Sequence, residues 1–382
     1  MKRLICPSVA FLPLVLIGSL PLHADAPTGF SYPLFDGQTL SGWQVTDCEA
    51  VVRDGAILIE SGNGFLRSDH RYSDFVLEVE WKALKDDAWD SGVFFRCPPP
   101  PKDRPWPEQY QANLRKGMEG NVGGLAGAES SGLIQPGQWN HFELTVVGST
   151  AAMEINGKPA WKADGIEAPS GYIGLQAEVP GGGQFLFRNL RVTELQHEAL
   201  FNGKDLTGWE AANGKQASCW KVEDELLICT GEPGSWLRSL KEHGDFNLRL
   251  EYLLKPSGNS GVYCRVPKDG DHHGEGSGVE IQILDDAHPR YAALKPYQFA
   301  GSVYAIVPAD PRVGRPPGQW NRLEIDCRGF DYRVTHNGVV VVDASADSVE
   351  ELKQRRLTGY LGLQNHREEV RFRNLRIGPP QP

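Results

Sequence analysis

The sequence predicts an all-β protein built from two tandem antiparallel β-sandwiches, on three observations. These are a collinear internal repeat, apolar residues at every second position, and turns rich in glycine and proline. The 382-residue chain opens the repeat at Leu34–Trp43, LFDGQTLSGW, and reopens it at Leu200–Trp209, LFNGKDLTGW. Ser91-Gly92-Val93 then matches Ser260-Gly261-Val262, and the PGQWN around Trp139 matches that around Trp320. Gly174-Leu175-Gln176 matches Gly362-Leu363-Gln364, and Arg188-Asn189-Leu190-Arg191 matches Arg373-Asn374-Leu375-Arg376. A unit this long owns its own core, unlike the short units of a solenoid. The offset between copies rises from 166 at Trp43/Trp209 to 181 at Trp139/Trp320, so the second copy carries extra loop between Ser260 and Trp320.

Taken in chain order, residues 1–24 read as a secretory signal. Lys2 and Arg3 precede an apolar run from Val9 to Leu20, and Leu22-His23-Ala24 supplies the cleavage site. Copy one fills 25–195. Its strands show in Phe75–Trp81, FVLEVEW, and Phe142–Val147, FELTVV, where apolar and polar residues alternate. Asn156-Gly157 lies between apolar runs as a hairpin turn, and Gly181-Gly182-Gly183 reads as a hairpin tip. The polar stretch ELQHE, Glu194 to Glu198, divides the copies, and copy two fills 196–382. There Phe246–Tyr252 and Arg322–Asp326 repeat the strand pattern, and Asn337-Gly338 the turn. Helical character is confined to Asp347–Arg355, a short stretch.

Composition excludes several classes of function. Loss of Lys2 and Arg3 takes the formal charge from -10 to -12, spread along the chain, which argues against nucleic acid or an anionic membrane as partner. Beyond the leader no apolar run is long enough to span a bilayer, so a secreted or periplasmic protein is expected. Six cysteines remain after processing; they do not coincide between copies and show no CxxC spacing, which indicates neither zinc nor a shared disulfide framework. Cys219 and Cys229 are the one close pair, either a disulfide or two thiols. The absence of GxSxG, P-loop, HExxH and GxGxxG patterns sets aside serine hydrolase, nucleotide and zincin readings.

Period two also locates a polar face. In Val279–Ile283 the isoleucines share the buried side, which leaves Glu280 and Gln282 together on the other. The matching Tyr110–Leu114 places Gln111 and Asn113 likewise. Leu361 and Leu363 point inward while Gln364 and His366 point outward, and the same alternation sends Tyr263 and Arg265 outward, with Arg96 at the matching place in copy one. A polar sheet face is ordinarily solvated surface, but matched polar residues in both copies favour a concave binding face.

Together the LFxGxxLxGW openings, Asn259–Arg265 (NSGVYCR), Val279–Asp285 (VEIQILD), PGQWN, Gln364-Asn365-His366 and the closing FRNLR resemble the 3-keto-disaccharide hydrolase domain family, DUF1080. The resemblance covers nearly all of the mature chain, once per copy. It implies concanavalin A-like jelly rolls, export from a bacterial cell, and action on 3-keto-glycosides made by a partner sugar 3-dehydrogenase. A ketone at C3 acidifies the C2 hydrogen, so a base removes it, a donor stabilises the enolate, and the C1 oxygen leaves. Water addition completes a net hydrolysis. Glu280 is the first candidate base and His366 the second, with Arg265 and Gln282 as donors. Asn259, Gln282, Tyr263, Gln364 and Asp285 are candidate substrate contacts, Asp285 alternatively a metal ligand. In copy one, Gln111, Asn113, Arg96 and Gln176 are the candidate contacts. No cofactor is required, a divalent cation such as calcium is left open, and any nicotinamide belongs to the partner enzyme.

Copy one departs from this pattern: Asp90 replaces Asn259, Gln111 replaces Glu280, Asn113 replaces Gln282, and Glu178 replaces His366. Copy two is therefore the expected catalytic half. The alternative is a tandem lectin-like protein that binds sugar without turnover, since one sandwich fold serves both purposes. A two-carboxylate glycosidase fits less well, because Glu280 and Asp285 lie an odd number of positions apart on one strand. The loop holding Asp269, Asp271, His272, His273 and Glu275 reads as solvated, with a cation as the alternative. Pro98–Pro101 reads as a stiff loop. Trp89, Trp106 and Trp236 are candidates to stack on sugar, whereas Trp43, Trp209, Trp139 and Trp320 are expected in the core.

Overall fold

A computed structural model describes residues 28–212 and 217–382; the expected leader lies outside them. The alternating segments form strands Phe75–Ala83, Asn140–Val147, Phe246–Leu254 and Trp320–Arg328. Asn156 and Asn337 adopt φ of 52° and 48°, and the glycines after them 72° and 77°, the left-handed pair that a two-residue hairpin turn requires. The stretch with helical character yields one 3-10 segment, Glu350–Gln354. Gly181–Gly183 departs from the expected hairpin tip: Val179–Gly182 makes a single helical turn, started by Pro180, whose ring presets a helical φ.

Each copy is a β-sandwich of concanavalin A-like type, but the layers are joined differently. In copy one all eleven strands form one curled sheet. Its long strand Ala56–Tyr72 runs through both layers, pairing Ile57–Ile59 with Phe185–Phe187 and Gly64–Leu66 with Leu175–Ala177. Gly62, at φ 96°, bends that strand between the two pairings. In copy two the equivalent stretch is cut by Thr230–Trp236, which contains Pro233, a residue unable to donate to a ladder. Leu226–Cys229 consequently joins an eight-stranded sheet and Leu237–His243 a five-stranded one. The core fills the space between layers, with Ile57, Phe95 and Ile173 in copy one and Cys264, Ile281, Leu323 and Phe372 in copy two. Cys219 and Cys229 are buried there as free thiols.

Among the described residues no strand pairs across the boundary; the copies meet through buried charges. Arg249 of copy two lies between Glu194 (2.7 Å) and Glu324 (2.9 Å), and Arg376 takes the other Glu194 oxygen at 2.7 Å. His70 of copy one reaches Glu324 at 2.8 Å, and the Tyr32 hydroxyl accepts from Arg376 at 3.0 Å. Burying ions is costly unless each is closely paired, as these are. Burial holds His70 below the usual imidazole range and takes His197 down to about 4, despite the neighbouring Glu324 and Glu194 and with Arg249 and Arg376 adding to the depression. His336 is likewise lowered to about 4 by burial, with Arg315 adding to it. Below about pH 6.5, the free imidazole value, the unfolded chain takes up protons that these folded sites refuse. Their contribution is complete above that pH and is lost as pH falls toward 4. Melting temperature should therefore drop progressively between pH 7 and 4.5 at constant ionic strength; a flat profile would contradict the buried neutral imidazoles.

Candidate active site

Strands Asn259–Val266, Val279–Leu284 and Gly359–Leu363 are neighbours in the five-stranded sheet. Val262, Cys264, Ile281, Ile283, Leu361 and Leu363 point into the core. Their alternates on the opposite face border a cavity of about 330 Å³, whose sheet side is Asn259, Glu280, Gln282, Gln364 and His366. Loops close the rest, with His272 and His273 on one side and Tyr291, Leu294, Gln298 and Tyr304 on the other. The second group comes from the extra loop of copy two, which folds as the 3-10 turns Pro289–Tyr291 and Pro296–Gln298.

Glu280 is 3% exposed, and its two oxygens have different surroundings. Oε2 lies 3.0 Å from His272 Nε2, whereas Oε1 is buried with no hydrogen-bond partner. The His272 ring stacks on Tyr263 at 4.8 Å and meets His273 at 3.9 Å, and Trp236 supports Tyr263 edge-on at 5.2 Å. Burial would lower the His272 pKa, but the hydrogen bond and charge of Glu280 outweigh it and hold it above the usual value. Gln364 donates to the Tyr263 hydroxyl at 3.1 Å, and its own Oε1 is buried without a partner. Gln282 donates to Asn259 at 3.1 Å, and at the rim His366 lies 3.4 Å from Asn259 and 3.1 Å from Glu368. A buried carboxylate with one oxygen unclaimed can take a proton, and the surrounding carboxamides and imidazoles can hold hydroxyls.

Gly261 makes room for this carboxylate: a Cβ there would sit 1.9 Å from Glu280 Oε1. Gly261→Ala should turn the carboxylate away and lower kcat by about 100-fold, the low end of what a positioned base supplies. Unchanged kcat in the folded variant would show that this carboxylate position does not matter.

Several sequence expectations need correction. Arg265 does not share the face of Tyr263: at φ 56° it forms a β-bulge that turns it away from the cavity. It is fully buried, donating to Gly244 O at 2.7 Å, to Gly329 O, and to Asp245 at 2.9 Å. Arg96, at φ 43°, does the same in copy one through Ser73 O, Gly148 O and Asp74. Both arginines tie loops to the sandwich, and Arg265 does not line the cavity. Asp285 accepts the Ser257 N–H at 2.9 Å, fastening a turn, and Tyr263 lies beneath His272, outside the cavity lining. Trp89 belongs to the core, its indole donating to Glu119 at 3.1 Å, and Trp236 supports Tyr263. Trp43 and Trp209 are buried as expected, but Trp139 and Trp320 are half-buried, covered by Arg188 and Arg373 at 4.0 Å. The loop expected to be solvated supplies His272 and His273. Among the described residues no three His, Cys, Asp or Glu side chains converge closely enough to hold a metal ion.

Copy one assembles the same places with different chemistry. Gln111 donates to Gln176, and Gln176 to Glu178 at 2.8 Å, while Asn113 accepts the Arg115 N–H at 2.5 Å. Phe65 and Phe94 meet edge-on at 5.2 Å, repeating Trp236 and Tyr263. Against them packs Trp106, as His272 packs against Tyr263. Copy one thus carries an amide and an indole where copy two carries a carboxylate and an imidazole.

The sheet face carries a buried carboxylate and carboxamides with loop imidazoles beside them, and family membership identifies a carbohydrate-active protein. The chain belongs to the family of 3-keto-alpha-glucoside-1,2-lyase-like domains, whose model matches residues 31–193 and again 196–378. It is similar to a 3-keto-disaccharide hydrolase of Bacteroides thetaiotaomicron, 26% identical over 222 residues that span 47% of this chain and 76% of that one. A solved structure named as a candidate glycosyl hydrolase, from Parabacteroides distasonis, is 26% identical over 48% of this chain and 93% of its own, with a TM-score of 0.43. The carbohydrate-binding module CBM66 from Bacillus subtilis is 18% identical over 40% of this chain and 96% of its own, with a TM-score of 0.33.

Proposed function

We propose that the protein cleaves glycosides oxidised at C3, in copy two, with Glu280 as the base that removes the C2 proton. The observation that carries this reading is Glu280 in the wall of a cavity lined by carboxamides, a buried carboxylate with one oxygen, Oε1, left unpartnered. The ketone makes the C2 hydrogen acidic enough for a carboxylate. As the proton leaves, charge moves to the C3 oxygen, and Gln282, Asn259 and Gln364 are the nearby amides able to hold sugar oxygens. The enolate then expels the C1 oxygen, and water addition gives net hydrolysis. Family membership and the similarity to a 3-keto-disaccharide hydrolase support the substrate class. The signal-like leader supports export, with a sugar 3-dehydrogenase as the upstream source of the ketone.

The test is to incubate the protein with a 3-keto-disaccharide and with its unoxidised parent, and to follow both by mass spectrometry. Release of free sugar or an unsaturated product from the keto form alone is expected. Binding without turnover would instead support the lectin reading.

A further inference from the structure

We infer that His272 is a second catalytic residue, the acid that protonates the departing C1 oxygen, acting as a proton-exchanging pair with Glu280. The inference rests on the keto-glycoside reading above and adds the residue that completes its proton balance. In the sequence His272 belongs to a polar, Gly-rich loop that reads as solvated, with a cation as the alternative. The fold returns that loop onto the strand, and the imidazole lines the cavity beside Glu280.

The hydrogen-bond pattern specifies its protonation. Nε2 faces Glu280 Oε2 at 3.0 Å and Nδ1 faces the Gly270 carbonyl at 3.0 Å. A carbonyl and a carboxylate both accept, so with Glu280 ionised both ring nitrogens must donate, which is the imidazolium form. The ring packs against both Tyr263 and His273. Asp271 adds negative charge nearby, and His273 is itself held below its usual range by burial, with His272 beside it adding to the effect. The backbone carbonyl of His272 lies 3.4 Å from Arg355, so the loop is tied down behind the ring.

The steps then balance without an outside proton. Glu280 Oε1 takes the C2 proton, and the C–H electron pair forms the enolate with charge on the C3 oxygen. Neutralised, Glu280 weakens its hold on the Nε2 proton of His272. As the C3 carbonyl re-forms, C1 and C2 become doubly bonded and the C1–O bond breaks, its electrons going to the leaving oxygen. That oxygen receives the His272 proton. The carboxylic proton of Glu280 afterwards passes across the 3.0 Å contact to the neutral imidazole, after the carboxyl group turns, and restores the starting pair.

Leaving-group dependence separates this role from a structural one. His272→Gln should lower kcat/KM about 1000-fold for a methyl 3-keto-glucoside, whose alkoxide needs a proton, within the usual range for a general acid. For the 4-nitrophenyl 3-keto-glucoside, whose phenolate leaves unaided, the loss should stay under about 10-fold. Equal losses on the two substrates would overturn the assignment. A second measurement is independent of substrate: nitrogen-15 histidine NMR at pH 7 should show both His272 nitrogens protonated in the wild type, and one in Glu280→Gln. A neutral His272 in the wild type would overturn the pair. Wild-type protein inert toward both keto-glucosides would overturn the proposed function, with the NMR result still deciding the pair.

Discussion

Glu280→Gln should reduce turnover of a 3-keto-disaccharide by about 1000-fold or more while the substrate still binds. The replacement keeps the size and shape of the side chain above Gly261 but removes its carboxylate from the cavity wall. A positioned base contributes on the order of 100- to 10,000-fold, and among the described residues lining the cavity no second carboxylate stands in for it. His366, the second candidate from sequence, sits at the rim with 46% of its side chain exposed and paired to Glu368. The check is kcat for the variant beside its affinity and its melting curve. Activity within about 10-fold of wild type, in a folded variant, would exclude Glu280 as the base.

Arg249→Ala should be the most destabilising single change at the junction of the copies, by about 3–5 kcal/mol. Its guanidinium is fully buried and balances Glu194 and Glu324 together, so truncation leaves two carboxylates buried beside fewer positive charges. Arg376 still pairs with Glu194 and His70 with Glu324, which is why the loss is not larger. Chemical denaturation monitored by tryptophan fluorescence would measure it. A loss under about 1 kcal/mol, the range of exposed pairs, would mean that water reaches the network.

Much of this architecture is legible in the sequence. The repeat, the two Asn-Gly turns and the inward and outward sides of Val279–Ile283 follow from local chemistry, because a strand's side chains alternate whatever surrounds it. The same rule failed at Arg265 for a physical reason. A bulge with a left-handed residue inverts alternation from that point, and arginine carries none of the glycine or asparagine signature of positive φ. His272 was hidden differently: which loop residue folds back onto Glu280 is a tertiary fact, and a run of Asp, His and Gly reads as solvent-exposed in isolation. Trp139 and Trp320 recur in both copies, which suggested core, yet what recurs is their stacking under Arg188 and Arg373. The comparison of copies was informative where it showed differences, since Gln111 for Glu280 marked the altered face.

Under the proposed function, copy two breaks the glycosidic bond by first removing the C2 proton. The most direct test uses a 3-keto-disaccharide deuterated at C2, with a no-enzyme control for spontaneous exchange, and weighs the keto-sugar fragment released by the wild-type protein. Loss of the deuterium on cleavage, absent with Glu280→Gln, is the predicted result. A fragment that keeps its deuterium would show direct displacement at C1 and contradict the account.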